Sequence, residues 1–348
     1  MTPSPAPLCR ALSAALAAAD ASGGASLEAL DPRLDDLLRH VGRRDRALVL
    51  LVLADLVTGP LQSPARWVRH PVVARVQWAL ERSWLAELAE EAVPDGLALP
   101  TGAAVGAAVG AGVGAGSTVD AVVAALRALA ARDRLPPVYR WAARDASWAG
   151  LVAFLALEGG PDAGFDDLVA ACQVGLRGRP KLELASNYWD EMGGGDLASV
   201  HTALHEDLAA AIDMPLLARE DQPTEALERA ALGGLLATNH WLQPEMLGAL
   251  GLIELQAGPR CRLVLQAFDR LGAPAGARPF YEVHAEVDPR HGRDWVDIAI
   301  VGVLAEHPEW APRIVAGAWW RSLLNRRFFE VAHDLVRSGE QAPAAAAA

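Results

Sequence analysis

Leucine and alanine recur at intervals of three and four residues along almost the whole chain, while alternating runs of β-branched residues are scarce. That spacing lays an apolar stripe along one face of a helix and gives a strand no face of its own. The chain is therefore expected to be all-α. Hydrophobic residues make up 52% of its 348 positions, enough to bury a sizeable core. Short Gly/Pro turns separate most of the periodic segments, the pattern of antiparallel neighbours in a helical bundle. The expected helices include 138–158, 180–212, 224–237, 243–257, 259–271, 276–291, 292–305 and 308–337. Residues 1–25, rich in Pro, Ala and Ser, read as a frayed lead, and the Ala-rich tail after Gln341 as disordered.

A low-complexity Gly/Ala tract over 96–118, with Gly102, Gly106, Gly110 and Gly114 at four-residue steps, divides the chain. Glycine disfavours an exposed helix, so the tract reads as a linker rather than a close-packing face. Three regions follow: an N-terminal helical region over 1–95, the linker over 96–118, and a helical domain over 119–340 that carries the chemistry.

Several function classes are excluded early. The formal charge of −12 is spread along the chain, which argues against a nucleic-acid surface. Cys9, Cys172 and Cys261 are scattered and odd in number, offering neither a disulfide framework nor a zinc knuckle, as expected in a reducing compartment. The start of the chain lacks a signal-peptide pattern, and the uncharged stretch Gly96 to Val119 is too weakly apolar for a membrane span. A soluble, cytoplasmic protein is expected, with no membrane partner. The Gly/Ala tract and the Trp319-Trp320 pair are features a homodimer could use.

The densest chemical pattern is Phe280-Tyr-Glu-Val-His284-Ala-Glu-Val-Asp288-Pro-Arg-His291. Residues 284, 288 and 291 share one helical face, offering two imidazoles and a carboxylate to iron, manganese or zinc. Pro289 interrupts the stripe and opposes a helix there, so something besides propensity must hold the geometry; a metal would. A plain polar stripe at a helix end is the competing reading. Upstream, Glu191 and His201 are ten apart, about 80° out of register on an unbroken helix. Gly193, Gly194 and Gly195 lie between them and can kink or overwind the chain enough for both to reach one centre. His205, a turn further, is a candidate partner to a ligand. Glu158 and Glu254 each close an apolar run, where a glutamate is rarely buried alone. Helices that each point a carboxylate or histidine inward follow the logic of a two-metal bundle, although the usual Glu-x-x-His pair is absent.

Taken jointly, these residues resemble the haem-oxygenase-like di-iron oxidases, a group of iron-containing redox enzymes. There the ligands run Glu, then Glu with His ten residues later, then Glu, then His-x3-Asp-x2-His about thirty residues on. Here Glu191 and His201, Glu254 and His284, and the run His284, Asp288, His291 fit, with Glu158 as the first carboxylate. The likeness covers roughly 138–335 and rests on joint spacing. It implies a haem-oxygenase-like helical bundle with extra N-terminal helices. It further implies seven metal ligands (Glu158, Glu191, His201, Glu254, His284, Asp288 and His291) holding two Fe(II) ions. Dioxygen would be the co-substrate, a peroxo-di-ferric species the intermediate, and an unidentified small organic molecule the substrate. Asp190, Tyr188 and Tyr281 become candidates for hydrogen bonds that orient ligands, and Trp189 reads as core packing. Two other classes compete: a haem-oxygenase-like enzyme without di-iron, haem-binding or using Cys172 as nucleophile, and a non-catalytic helical binding protein.

Overall fold

A computed structural model describes residues 7–58, 65–94, 97, 115–159 and 164–341; the glycines at 102–114 and the tail beyond 341 lie outside these. Among the described residues there are helices and no strands, so the described chain is all-α. None of these helices is long and apolar enough to cross a membrane.

The chain forms two compact units. The first takes most of its mass from Met1–Ala92 together with Leu217–Asn239. Its helices are α1 (Pro7–Ser22), α2 (Ala25–Glu28), α3 (Asp31–Arg39), α4 (Arg43–Thr58), α5 (Pro71–Glu90) and, from mid-chain, α12 (Thr224–Thr238). The expected frayed lead is instead helix α1. Leu8, Leu12 and Leu16 are buried on one face, and the Asp45 carboxylate accepts from the Leu8 and Cys9 amides at 3.0 and 2.9 Å. That satisfies two of the donors every helix start leaves open. Helix α12 is anchored to α4 by charge: buried Glu228 pairs with Arg43, and Arg46 lies 3.7 Å away.

The second unit carries α6 (Ala115–Arg132), α7 (Pro137–Arg144), α8 (Trp148–Glu158), α9 (Phe165–Cys172), α10 (Gly178–Glu191) and α11 (His201–Ala211). It continues with α13 (Gln243–Leu271), α14 (Pro279–Asp294), α15 (Val301–Glu306) and α16 (Ala311–Gln341). Trp319 and Trp320 are buried within it.

Four helix boundaries differ from expectation. The segment 138–158 breaks at 145–147, where the Ser147 hydroxyl accepts from the Gly150 amide and starts α8 as its N-cap. The segment 180–212 is not one kinked helix: Gly193, Gly194 and Gly195 all take positive φ, ending α10 at Glu191 and restarting the helix at His201. Conversely, 243–257 and 259–271 are one helix running through Pro259. Residues 276–305 form a nearly continuous rod, in which a π-helical turn at Trp295–Ile300 joins α14 to α15.

Helices α13 and α14 approach closely, and this positions the site. A Cβ on Gly292 would lie 2.8–2.9 Å from the backbone of Glu254 and Leu255, so only glycine admits the approach. Further along, the Pro289 ring sits against Gly258. Packing on α13 therefore accommodates the proline that α14 carries without a break. At the first residue of the π turn the pair is fixed again, where the buried Trp295 indole donates to the Leu247 carbonyl at 3.0 Å.

Candidate metal centre

Four helices bring their ends or middles to one buried point in the second unit. Glu191 is the last residue of α10 and His201 the first of α11; Glu254 lies mid-way along α13, and His284, Asp288 and His291 line α14. Glu191, His201, Glu254, Asp288 and His291 are each at most 5% exposed.

Five of these six side chains fall into two groups of three that share one member. Glu191, His201 and His284 place ligand atoms within 4.8 Å of one another, and so do Glu191, Glu254 and His291. The glycine turn makes the first group possible: a Cβ at Gly193 would strike the backbone of Ser199 and Val200 at 2.5–2.7 Å, so the loop folds back tightly enough to bring His201 beside Glu191. His201 Nδ1 lies 2.7 Å from Glu191 Oε2, yet the approach lacks hydrogen-bond geometry and leaves Nδ1 without a partner.

The remaining atoms show which face of each ring is available. His284 Nδ1 lies 2.6 Å from the Phe280 carbonyl. An oxygen acceptor requires the proton there, which leaves Nε2 as the free donor atom. Burial and the nearby His201 hold the His284 imidazole down to about 4, so it is neutral near pH 7. Buried His291 keeps Nδ1 without a hydrogen bond, 3.8 Å from Glu254 Oε2. Glu254 accepts from Asn187 Nδ2 at 2.7 Å through its other oxygen.

Charge is crowded here. Burial, and then Glu191, push Glu254 up to about 8, while burial with Glu254 and Glu191 raises Asp288 well above the usual carboxylate range. Clustered carboxylates excluded from water take up protons unless a cation offsets them. His201 Nδ1, His291 Nδ1 and Asp288 Oδ2 are buried polar atoms with no hydrogen-bond partner, each costly to leave so. Orphaned donors among imidazoles and carboxylates are what a borderline transition metal requires, so the residues present fit iron.

Two predicted ligands fall outside both groups. Asp288 is buried on the same face of α14, near enough for Glu254 and Glu191 to shift its titration. Glu158 ends α8 as expected, but its carboxylate is held by two tyrosines: Tyr139 donates to Oε1, and buried Tyr281 makes a side-chain hydrogen bond to it as well. Tyr281 thus takes the orienting part the sequence suggested, toward Glu158. Among the described residues no hydrogen bond joins Tyr188 to a ligand.

His205 packs edge-on against Phe280 with ring centroids 5.1 Å apart, and Phe280 in turn lies 4.4 Å from His284. It supports the site through that ring. Trp189 is a correction: it is 56% exposed, with its indole laid over Gly195 instead of in the core. Sequence reasoning missed Asn187, although its place four residues before Glu191 puts both on one face of α10. Tyr139, on a separate helix, gave no local signal. Cys172 is wholly buried, and burial pushes its thiol up, so no reactive thiolate competes as the working group.

No curated protein matches the chain. A family model described as iron-containing redox enzyme matches residues 152–326, just over half the chain. That span runs from within α8 into α16 and includes every residue of the two donor groups. With the helical fold, the paired Glu/His donor groups and this match in hand, the chain belongs to the iron-containing redox enzyme family.

Proposed function

We propose that the second unit is an oxygen-dependent non-haem di-iron oxidase or oxygenase acting on a small organic molecule. The observation that carries this reading is the pair of three-residue donor groups sharing Glu191. Sharing a carboxylate between two sites a few ångströms apart suits two cations better than one. His201 and His284 would serve one ion and Glu254 and His291 the other, with Glu191 between them. Asp288 and Glu158, both in the same unit, complete the proposed set of seven.

When bound, two ferrous ions supply the electrons with which dioxygen is reduced. The protein's part is to hold them and keep water out. Four carboxylates match the formal charge of two divalent cations, which relieves the repulsion that raises Glu254 and Asp288. Neutral His284 donates through Nε2, its proton being fixed on Nδ1 by the Phe280 carbonyl. Tyr139 and Tyr281 hold the Glu158 carboxylate by hydrogen bonds and would fix its orientation toward a bound ion.

Loading the protein with iron under anaerobic conditions and then exposing it to oxygen tests the reading. Oxygen uptake in proportion to bound iron, with a transient visible absorption, is the expected result. Iron that binds and stays inert to oxygen would refute the oxidase assignment.

A further inference from the structure

The last turn of α10 holds more than a ligand. Asp190 precedes Glu191, and its Oδ2 lies 2.8 Å from His291 Nε2 on α14. The same oxygen accepts from Arg290 at 2.6 Å. A carboxylate that an arginine already donates to is an acceptor only, so the shorter 2.8 Å contact places the proton of a neutral His291 ring on Nε2, although Arg290 Nη2 also lies 3.2 Å from that nitrogen. The other ring nitrogen, Nδ1, is then the bare one, and it is the atom that is buried, unpartnered and turned toward Glu254. One turn earlier, Asn187 fixes one Glu254 oxygen at 2.7 Å.

We propose that Asp190, backed by Arg290, is a positioning residue that locks His291 as its Nε2–H tautomer and thereby makes Nδ1 the metal-binding atom. This inference rests on the iron reading of the site, but its structural half does not need it. His284 is set the opposite way, with Nδ1–H donating to the Phe280 carbonyl and Nε2 free. The two histidines of α14 would therefore bind through different nitrogens, each chosen by the group behind it. A ring given the wrong tautomer presents an N–H to the cation and cannot bind without reorganising.

The test uses the full chain with Asp190→Ala and Asp190→Asn, freed of metal by chelation. The Asn187-to-Glu191 turn is surface-facing at Asp190, about a third exposed, and far-UV circular dichroism checks that both variants fold. Nitrogen-15 imidazole spectra of the metal-free protein report the His291 tautomer, and ferrous-ion titration reports affinity. The expected result is a single Nε2–H tautomer in the wild type and a mixture in Asp190→Ala, with ferrous affinity about 10–100-fold lower. Asp190→Asn keeps an oxygen acceptor and should recover part of both. An Asp190→Ala protein that keeps the wild-type tautomer and affinity overturns the inference. If the tautomer shifts as expected but the wild type binds no ferrous ion, the positioning role stands and the iron reading falls.

Discussion

Replacing Glu254 with glutamine should make the metal-free protein more stable while weakening its response to iron. In the folded chain Glu254 titrates at about 8 because it is fully buried beside Glu191, whereas an unfolded carboxyl titrates at its ordinary 4.5. A raised carboxyl favours folding fully below 4.5 and loses that contribution as pH climbs towards 8. At pH 7 the unfolded chain is ionised and the folded one is not, a gap of about 2.5 pH units, which costs about 3 kcal/mol. The glutamine amide cannot ionise, keeps an oxygen for Asn187 and offers N–H donors towards Glu191. Chelated Glu254→Gln should therefore melt roughly 5 °C above chelated wild type at pH 7, and the gap should close near pH 4.5. Adding ferrous iron should raise the wild type's melting temperature and raise the variant's by clearly less. Thermal melts at the two pH values, with and without iron, give all four comparisons. A variant that melts below wild type at pH 7, or that gains as much from iron, would show that Glu254 is not a buried carboxyl held in reserve for a cation.

Further expectations follow from the same geometry. Gly292→Ala puts a methyl group 2.8–2.9 Å from the backbone at Glu254 and Leu255, and should cost about 1–3 kcal/mol in denaturant unfolding while weakening iron binding. His284, held down to about 4, favours folding fully above 6.5 and loses that as pH falls through 4; His284→Phe should flatten this part of the metal-free stability profile between pH 6.5 and 4. Tyr139→Phe removes the hydroxyl that donates to Glu158, and urea unfolding should show a loss of about 1 kcal/mol.

Much of the site was legible because its residues sit at helical intervals. His284, Asp288 and His291 share a face of α14 as periodicity requires, and Glu254 lies on the helix that crosses it. The pairing of Glu191 with His201 was legible in outline only. Three consecutive glycines signalled a disturbance, but not that all three would adopt left-handed backbone and end one helix to begin another. Pro289 lies inside the helix that the spacing predicted, but its accommodation against Gly258, 31 residues away in sequence, left no local signal. Helix α1 was hidden for a related reason, since the carboxylate that caps it, Asp45, is 36 residues beyond Cys9. Contacts of this kind, like Glu228 with Arg43 or Tyr139 with Glu158, leave no periodic trace.

The shared carboxylate gives the most direct test of the central claim. Metal analysis of chains loaded anaerobically with ferrous iron and cleared of excess should find about two irons per wild-type chain, if both donor groups are filled. Glu191→Ala should lose most of both, and His284→Ala should lose mainly one. One iron per wild-type chain, or an undiminished count in Glu191→Ala, would contradict a two-ion centre built around Glu191.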